Sequence, residues 1–127
     1  MKKMFLIFLF VITSGFADQI VLDNQTTYPS NDTKMAIQWA FSAKDVDESN
    51  SALKHGEKIS NIHSIKKSGN IQLSVPAGAE YFRILMWSKG SNEPDFHTNW
   101  VEVVNQKEYH LQKDHLVPAV LMSGMGC

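Results

Sequence analysis

Cysteine is nearly missing from this chain: Cys127 is the only one in 127 residues. No disulfide can form within it, so the fold must rest on an apolar core rather than on the covalent staples common in small exported domains. Arginine is as scarce, Arg83 standing alone, and 12 basic residues face 13 acidic ones for a formal charge of −1. Such a balance offers no basic footprint for a phosphate backbone, and nucleic acid is not an expected partner. Lys66 and Lys67 are too small a patch to hold an anionic lipid surface. Catalytic signatures are also lacking. There is no Gly-x-Ser-x-Gly elbow, no phosphate-cradling glycine loop and no His-Glu-x-x-His, the arrangements that place a nucleophile, a phosphate or a zinc ion. No Cys-x-x-Cys or His-x-x-x-His zinc spacing occurs either. Catalysis and a bound cofactor are therefore not expected.

The N-terminus carries the clearest pattern present. Lys2 and Lys3 precede an unbroken apolar run, residues 4–12, and then Thr13, Ser14, Gly15, Phe16 and Ala17. A short positive region, an apolar stretch and small residues at −3 and −1 of a cut before Asp18 predict a cleavable secretory signal peptide over residues 1–17. The run is too short to span a bilayer, which needs about 20 apolar residues, and it lacks the polar face of a core helix. No cysteine lies at the cleavage site, so lipid attachment there is not expected. Loss of Lys2 and Lys3 leaves ten basic and thirteen acidic residues, a formal charge of −3. The expected product is soluble, without stable membrane insertion, and periplasmic or secreted. The short Lys-Lys leader looks bacterial. Asn24 and Asn31 each begin an Asn-x-Thr glycosylation pattern, which matters only in a eukaryotic host.

Residues 18–127 suit one domain with a single modest core. No repeat, low-complexity tract or linker divides them. Met35, Ile37, Trp39 and Phe41 alternate with Ala36, Gln38, Ala40 and Ser42, the period of a strand with one face in a core. Further strands are predicted over residues 19–23, 71–75, 80–88, 97–104, 108–112 and 118–122. The turn Pro76-Ala77-Gly78 predicts that 71–75 and 80–88 form a hairpin. Residues 50–56 could form a short helix closed by Gly56. Ile59, Ile62 and Ile65, three apart, predict a bulged strand or irregular edge. About seven short strands with turn signals between them predict a mainly β fold, an antiparallel β-sandwich of immunoglobulin-like architecture, with a small β-barrel as the alternative.

The strand at 80–88 is the richest in candidate binding residues. Phe82, Ile84 and Met86 share one face and should be core; Tyr81, Arg83, Leu85 and Trp87 share the other. Aromatic side chains beside an arginine are the types that dominate binding hot spots, and Trp100 could extend the set. The competing reading is a central strand buried on both sides with Arg83 paired at its edge. A second constellation joins His110 and His115 to Met122, Met125 and Cys127, soft donors suited to copper, although His110 and His115 would face opposite sides of one strand. Met122 could instead be core. Cys127 could also link two chains across a twofold axis, giving a homodimer, or pack as a small hydrophobe. Asp95, His97 and Glu102 are close enough in sequence for an acid–base pair to be conceivable. The function expected is that of an exported, non-catalytic binding module for a protein or glycan surface through Tyr81, Arg83, Trp87 and Trp100. A periplasmic copper-binding protein and a small secreted hydrolase are the alternatives.

Overall fold

The computed structural model describes residues 18–118. The predicted signal peptide, the strand beyond Pro118, and Met122, Met125 and Cys127 lie outside the described residues. Among the described residues nine strands and one α-helix follow one another: β1 (Gln19–Asn24), β2 (Lys34–Ala40), α1 (Ala43–Lys54), β3 (Ile62–Ile65), β4 (Gly69–Ser74), β5 (Tyr81–Trp87), β6 (Phe96–His97), β7 (Val101–Glu102), β8 (Glu108–Leu111) and β9 (Val117–Pro118), with a 3₁₀ turn at Lys113–His115 before the last.

They form two sheets, one ordered β4-β1-β8 and the other β3-β2-β5-β6-β9, with β7 also paired to β5. The sheets stack as a β-sandwich and do not close into a barrel. All ladders are antiparallel except β1–β8, which is parallel. Period-two alternation places the core. Ile20 and Leu22 of β1, Leu73 of β4 and Leu111 of β8 meet Met35, Ile37 and Trp39 of β2 and Phe82, Ile84 and Met86 of β5. Phe82 stacks edge-on against Tyr109 of the opposite sheet, centroids 4.9 Å apart, which ties the layers together.

Residues 71–75 and 80–88 do not form the predicted hairpin. β4 pairs with β1 and β5 with β2, so the turn between them carries the chain from one sheet to the other. Ala79 N–H donates to the Pro76 carbonyl at 3.0 Å and Gly78 takes φ +88°, the third position of a type II turn that favours glycine. Reversal was written in those residues; the partner strands were not. The strand predicted at 97–104 is broken in two. Thr98 interrupts it, its Oγ1 accepting from Ile84 N–H at 3.0 Å in place of a backbone carbonyl.

The helix begins earlier than predicted. Ser42 caps it, its side chain accepting from Asp45 N–H, while the Asp45 carboxylate accepts from Phe41 N–H at 2.8 Å. This is a Ser-x-x-Asp start signal. Val46, Ser49, Asn50 and Leu53 follow the i, i+3, i+4, i+7 spacing of one face, half of it polar, which is why hydrophobic periodicity overlooks it.

Candidate functional site

The outer face of the six-stranded sheet carries the residues singled out on β5. Gln38 and Arg83 are register partners there, and both are about 1% exposed. Arg83 Nε donates to Gln38 Oε1 at 2.8 Å, Nη1 to Asn50 Oδ1 at 3.0 Å and Nη2 to the Ser49 carbonyl at 3.4 Å. Its carbon Cζ lies 4.5 Å from the Trp100 ring centroid, within cation–π range, and Trp100 Nε1 donates to the same Asn50 Oδ1 at 2.9 Å. Helix α1 thus covers the face through polar residues. Burial lowers the Arg83 pKa to about 10, which leaves the guanidinium charged at neutral pH.

Of the four residues named on this face, the structure brings Arg83 and Trp100 into contact. Tyr81 and Trp87, both half-buried, sit at opposite ends of β5, about 20 Å apart at the strand rise of ~3.3 Å per residue. Trp87 lines a hollow of about 270 Å³ with Leu53, Ile59, Ile62 and Pro94. The competing reading of β5 describes its middle: Arg83 and Leu85 are as buried as Phe82 and Ile84. Gln38, Ser49 and Asn50, which hold the guanidinium, were not candidates from sequence. Asn50 lies 33 residues from Arg83, and only the helix face through Val46 and Leu53 could have pointed to it.

His97 is buried beside this assembly, with Nδ1 2.9 Å from the Thr98 carbonyl. Asp95 Oδ1 accepts from Ser88 N–H and Glu102 is exposed; no hydrogen bond joins either to His97 among the described residues. Burial pushes the imidazole pKa below its usual range; the Thr98 hydrogen bond opposes this and the charge of Arg83 adds to it. A histidine whose folded pKa is depressed contributes stability in full above its unfolded value of about 6.5, and loses it as pH falls from there towards the folded value. Denaturant midpoints of the wild type should therefore decline below about pH 6.5, before carboxylates titrate. His97→Gln should flatten that decline, and an unchanged slope would remove His97 as its source.

At the edge where β8 faces β7 and β9, the sandwich opens into a cleft of about 470 Å³. Its apolar surface comes from Leu22, Phe82, Ile84, Val101, Leu111 and Val117, with Thr98, Asn99, Asp114 and His115 among its polar lining. No lysine or arginine lines it among the described residues. In size and character it falls within the range of ligand sites. Strand β8 borders it, and among the described residues its one ladder partner is β1, so no described strand pairs with its other edge.

The two histidines proposed as copper ligands both border the cleft and make different hydrogen bonds. His115 Nδ1 accepts from Gln112 N–H at 3.0 Å within its own turn. His110 instead meets Asp23 across the parallel ladder, Nδ1 2.9 Å from Oδ2, with Glu108 Oε2 3.9 Å from Nε2. Hydrogen bonds from Gln25 first, and from His110, hold the Asp23 carboxyl below the usual carboxylate range. Spacing along the predicted strand puts Glu108 on the face of His110, but Asp23 is not visible as its partner from sequence. A scan against protein-family models finds no match to this chain, and a search of curated proteins finds none either.

Proposed function

We propose that this chain is exported and acts as a non-catalytic binding module that takes up an extended apolar segment of a partner protein in the cleft beside β8. The observation that carries the reading is the coincidence of an apolar cleft with a strand edge that has no ladder partner among the described residues. An added strand gains main-chain hydrogen bonds from such an edge, and its alternate side chains enter the cleft and supply selectivity. The leader at residues 1–17 supports export. The buried state of Arg83 favours the cleft over the outer sheet face, because the guanidinium already directs three of its five donors to Gln38, Asn50 and Ser49.

Peptide display panned against the full exported chain tests this. Enriched peptides should show alternating apolar residues, and Val101→Trp, which fills the cleft from half-exposed β7, should abolish the enrichment while the protein still melts cooperatively. Trp87→Ala should leave it intact. Equal enrichment on the Val101→Trp variant would exclude the cleft, and loss with Trp87→Ala alone would move the site to the helix-covered face.

A further inference from the structure

The geometry points to a transition-metal site on the outer face of the three-stranded sheet, formed by Asp23, Glu108 and His110. The parallel register sets Asp23 opposite His110. Glu108 lies two residues before His110 on the same strand, hence on the same face. Leu22, Tyr109 and Leu111 alternate inwards with them, Leu22 and Leu111 buried and Tyr109 packed on the core. One oxygen from each carboxylate and one nitrogen of His110 lie within 4.8 Å of one another. The three side chains are solvent-accessible, 22% for Asp23, 51% for Glu108 and 56% for His110, so an ion reaches them without unfolding.

A tetrahedral zinc ion with bonds of about 2.0–2.1 Å holds its ligand atoms about 3.4 Å apart. The Asp23–His110 pair, at 2.9 Å, needs to open by only a few tenths of an ångström for an ion to replace the shared proton. Glu108, whose Oε2 lies 3.9 Å from the other ring nitrogen, Nε2, closes the set by rotating its side chain towards the Nδ1 side. Asp23 is already oriented: Gln25 Nε2 donates to its Oδ2 at 2.7 Å and lies 3.5 Å from His110 Nδ1, and Gln112 Nε2 donates to Gln25 Oε1 at 3.2 Å. Such outer hydrogen bonds fix the direction of a metal-binding carboxylate. One imidazole and two carboxylates suit Zn²⁺ or a neighbouring first-row divalent ion; Ca²⁺ and Mg²⁺ prefer all-oxygen sets. Three protein ligands leave further coordination positions to water or to a group on a partner.

Calorimetric titration of Zn²⁺ into the full exported chain, in a Cys127→Ser background so that no thiol is counted, tests the site. One equivalent should bind. His110→Ala should abolish that equivalent, Asp23→Asn and Glu108→Gln should each weaken it more than tenfold, and Gln25→Ala, which removes the amide that touches both Asp23 and His110, by about tenfold. His115→Ala should leave it unchanged. Circular dichroism should show the same fold in all variants, since each change is at a surface-accessible side chain. Absence of Zn²⁺ binding, retention of the equivalent in His110→Ala, its loss in His115→Ala, or displacement by equimolar Ca²⁺ would each overturn the assignment.

Discussion

Arg83→Ala should lower the unfolding free energy by about 3 kcal/mol, roughly 15 °C in Tm for a domain of this size. Three hydrogen bonds and the Trp100 contact disappear together. What remains decides the magnitude. Asn50 Oδ1 keeps the Trp100 indole as a donor, but Gln38 Oε1 is left buried with no donor assigned to it. An orphaned buried acceptor costs about 1–3 kcal/mol, and the space of the missing side chain adds to that. Arg83→Lys should recover little, because an ammonium cannot reproduce the planar fork that reaches three acceptors in different directions. The double change Arg83→Met with Gln38→Leu should be milder than Arg83→Ala, since it removes the buried charge and its acceptor together and refills the volume. Hydrogen exchange should report the cause: amides of α1 should lose protection before those of β1 and β4. Equal destabilisation by the double change, or undisturbed α1 protection in Arg83→Ala, would show that the guanidinium does not hold the helix to the sheet.

Phe82→Ala should have an effect at least as large, about 3–5 kcal/mol out of the 5–15 kcal/mol that such domains possess. Phe82 lies 4.9 Å from Tyr109 and 6.0 Å from Trp39 between ring centroids, so it joins both sheets at one point. The neighbours cannot collapse into the space it leaves. Tyr109 is held at its far end, its hydroxyl donating to the Glu102 carbonyl at 2.7 Å and accepting from Val104 N–H at 2.9 Å. A cavity that stays open carries the full penalty. Tyr109→Phe, which keeps the ring and removes those two bonds, should cost only about 1 kcal/mol per bond at most. Chemical denaturation would read both. A Phe82→Ala loss below about 1 kcal/mol would mean that the two sheets repack freely, contrary to the anchoring of Tyr109.

Particular elements show how far local pattern reaches. The alternation of Met35, Ile37 and Trp39 is a complete instruction, because one face of β2 must meet apolar neighbours whatever the topology. The other face was ambiguous. Ala36, Gln38, Arg83 and Leu85 could meet solvent, a partner or another element, and the element over them is a helix that reaches Arg83 through the buried Ser49 and the exposed Asn50. Hydrophobic periodicity cannot find a helix that packs through hydrogen bonds to an arginine. Its start was nevertheless legible in Ser42 and Asp45, as a capping signal independent of hydrophobicity. Turn chemistry at Pro76 and Gly78 told of a reversal, and not of the change of sheet, because a turn constrains four residues and a strand partner lies dozens away. The pairing of Asp23 with His110 spans 87 residues and depends on one parallel ladder, for which no short spacing exists in the chain.

The amino-acid sequence by itself determined that the chain is mainly β, that it builds its core by period-two alternation on strands such as β2 and β5, and that no internal disulfide supports it. These properties are local or compositional, and each residue carries its share of them. Tertiary structure alone decided that Arg83 is interior, that the cleft opens beside β8, and that Asp23 joins Glu108 and His110. Each of these depends on which strands become neighbours, and that choice is made by the summed burial of the whole core rather than by any one segment.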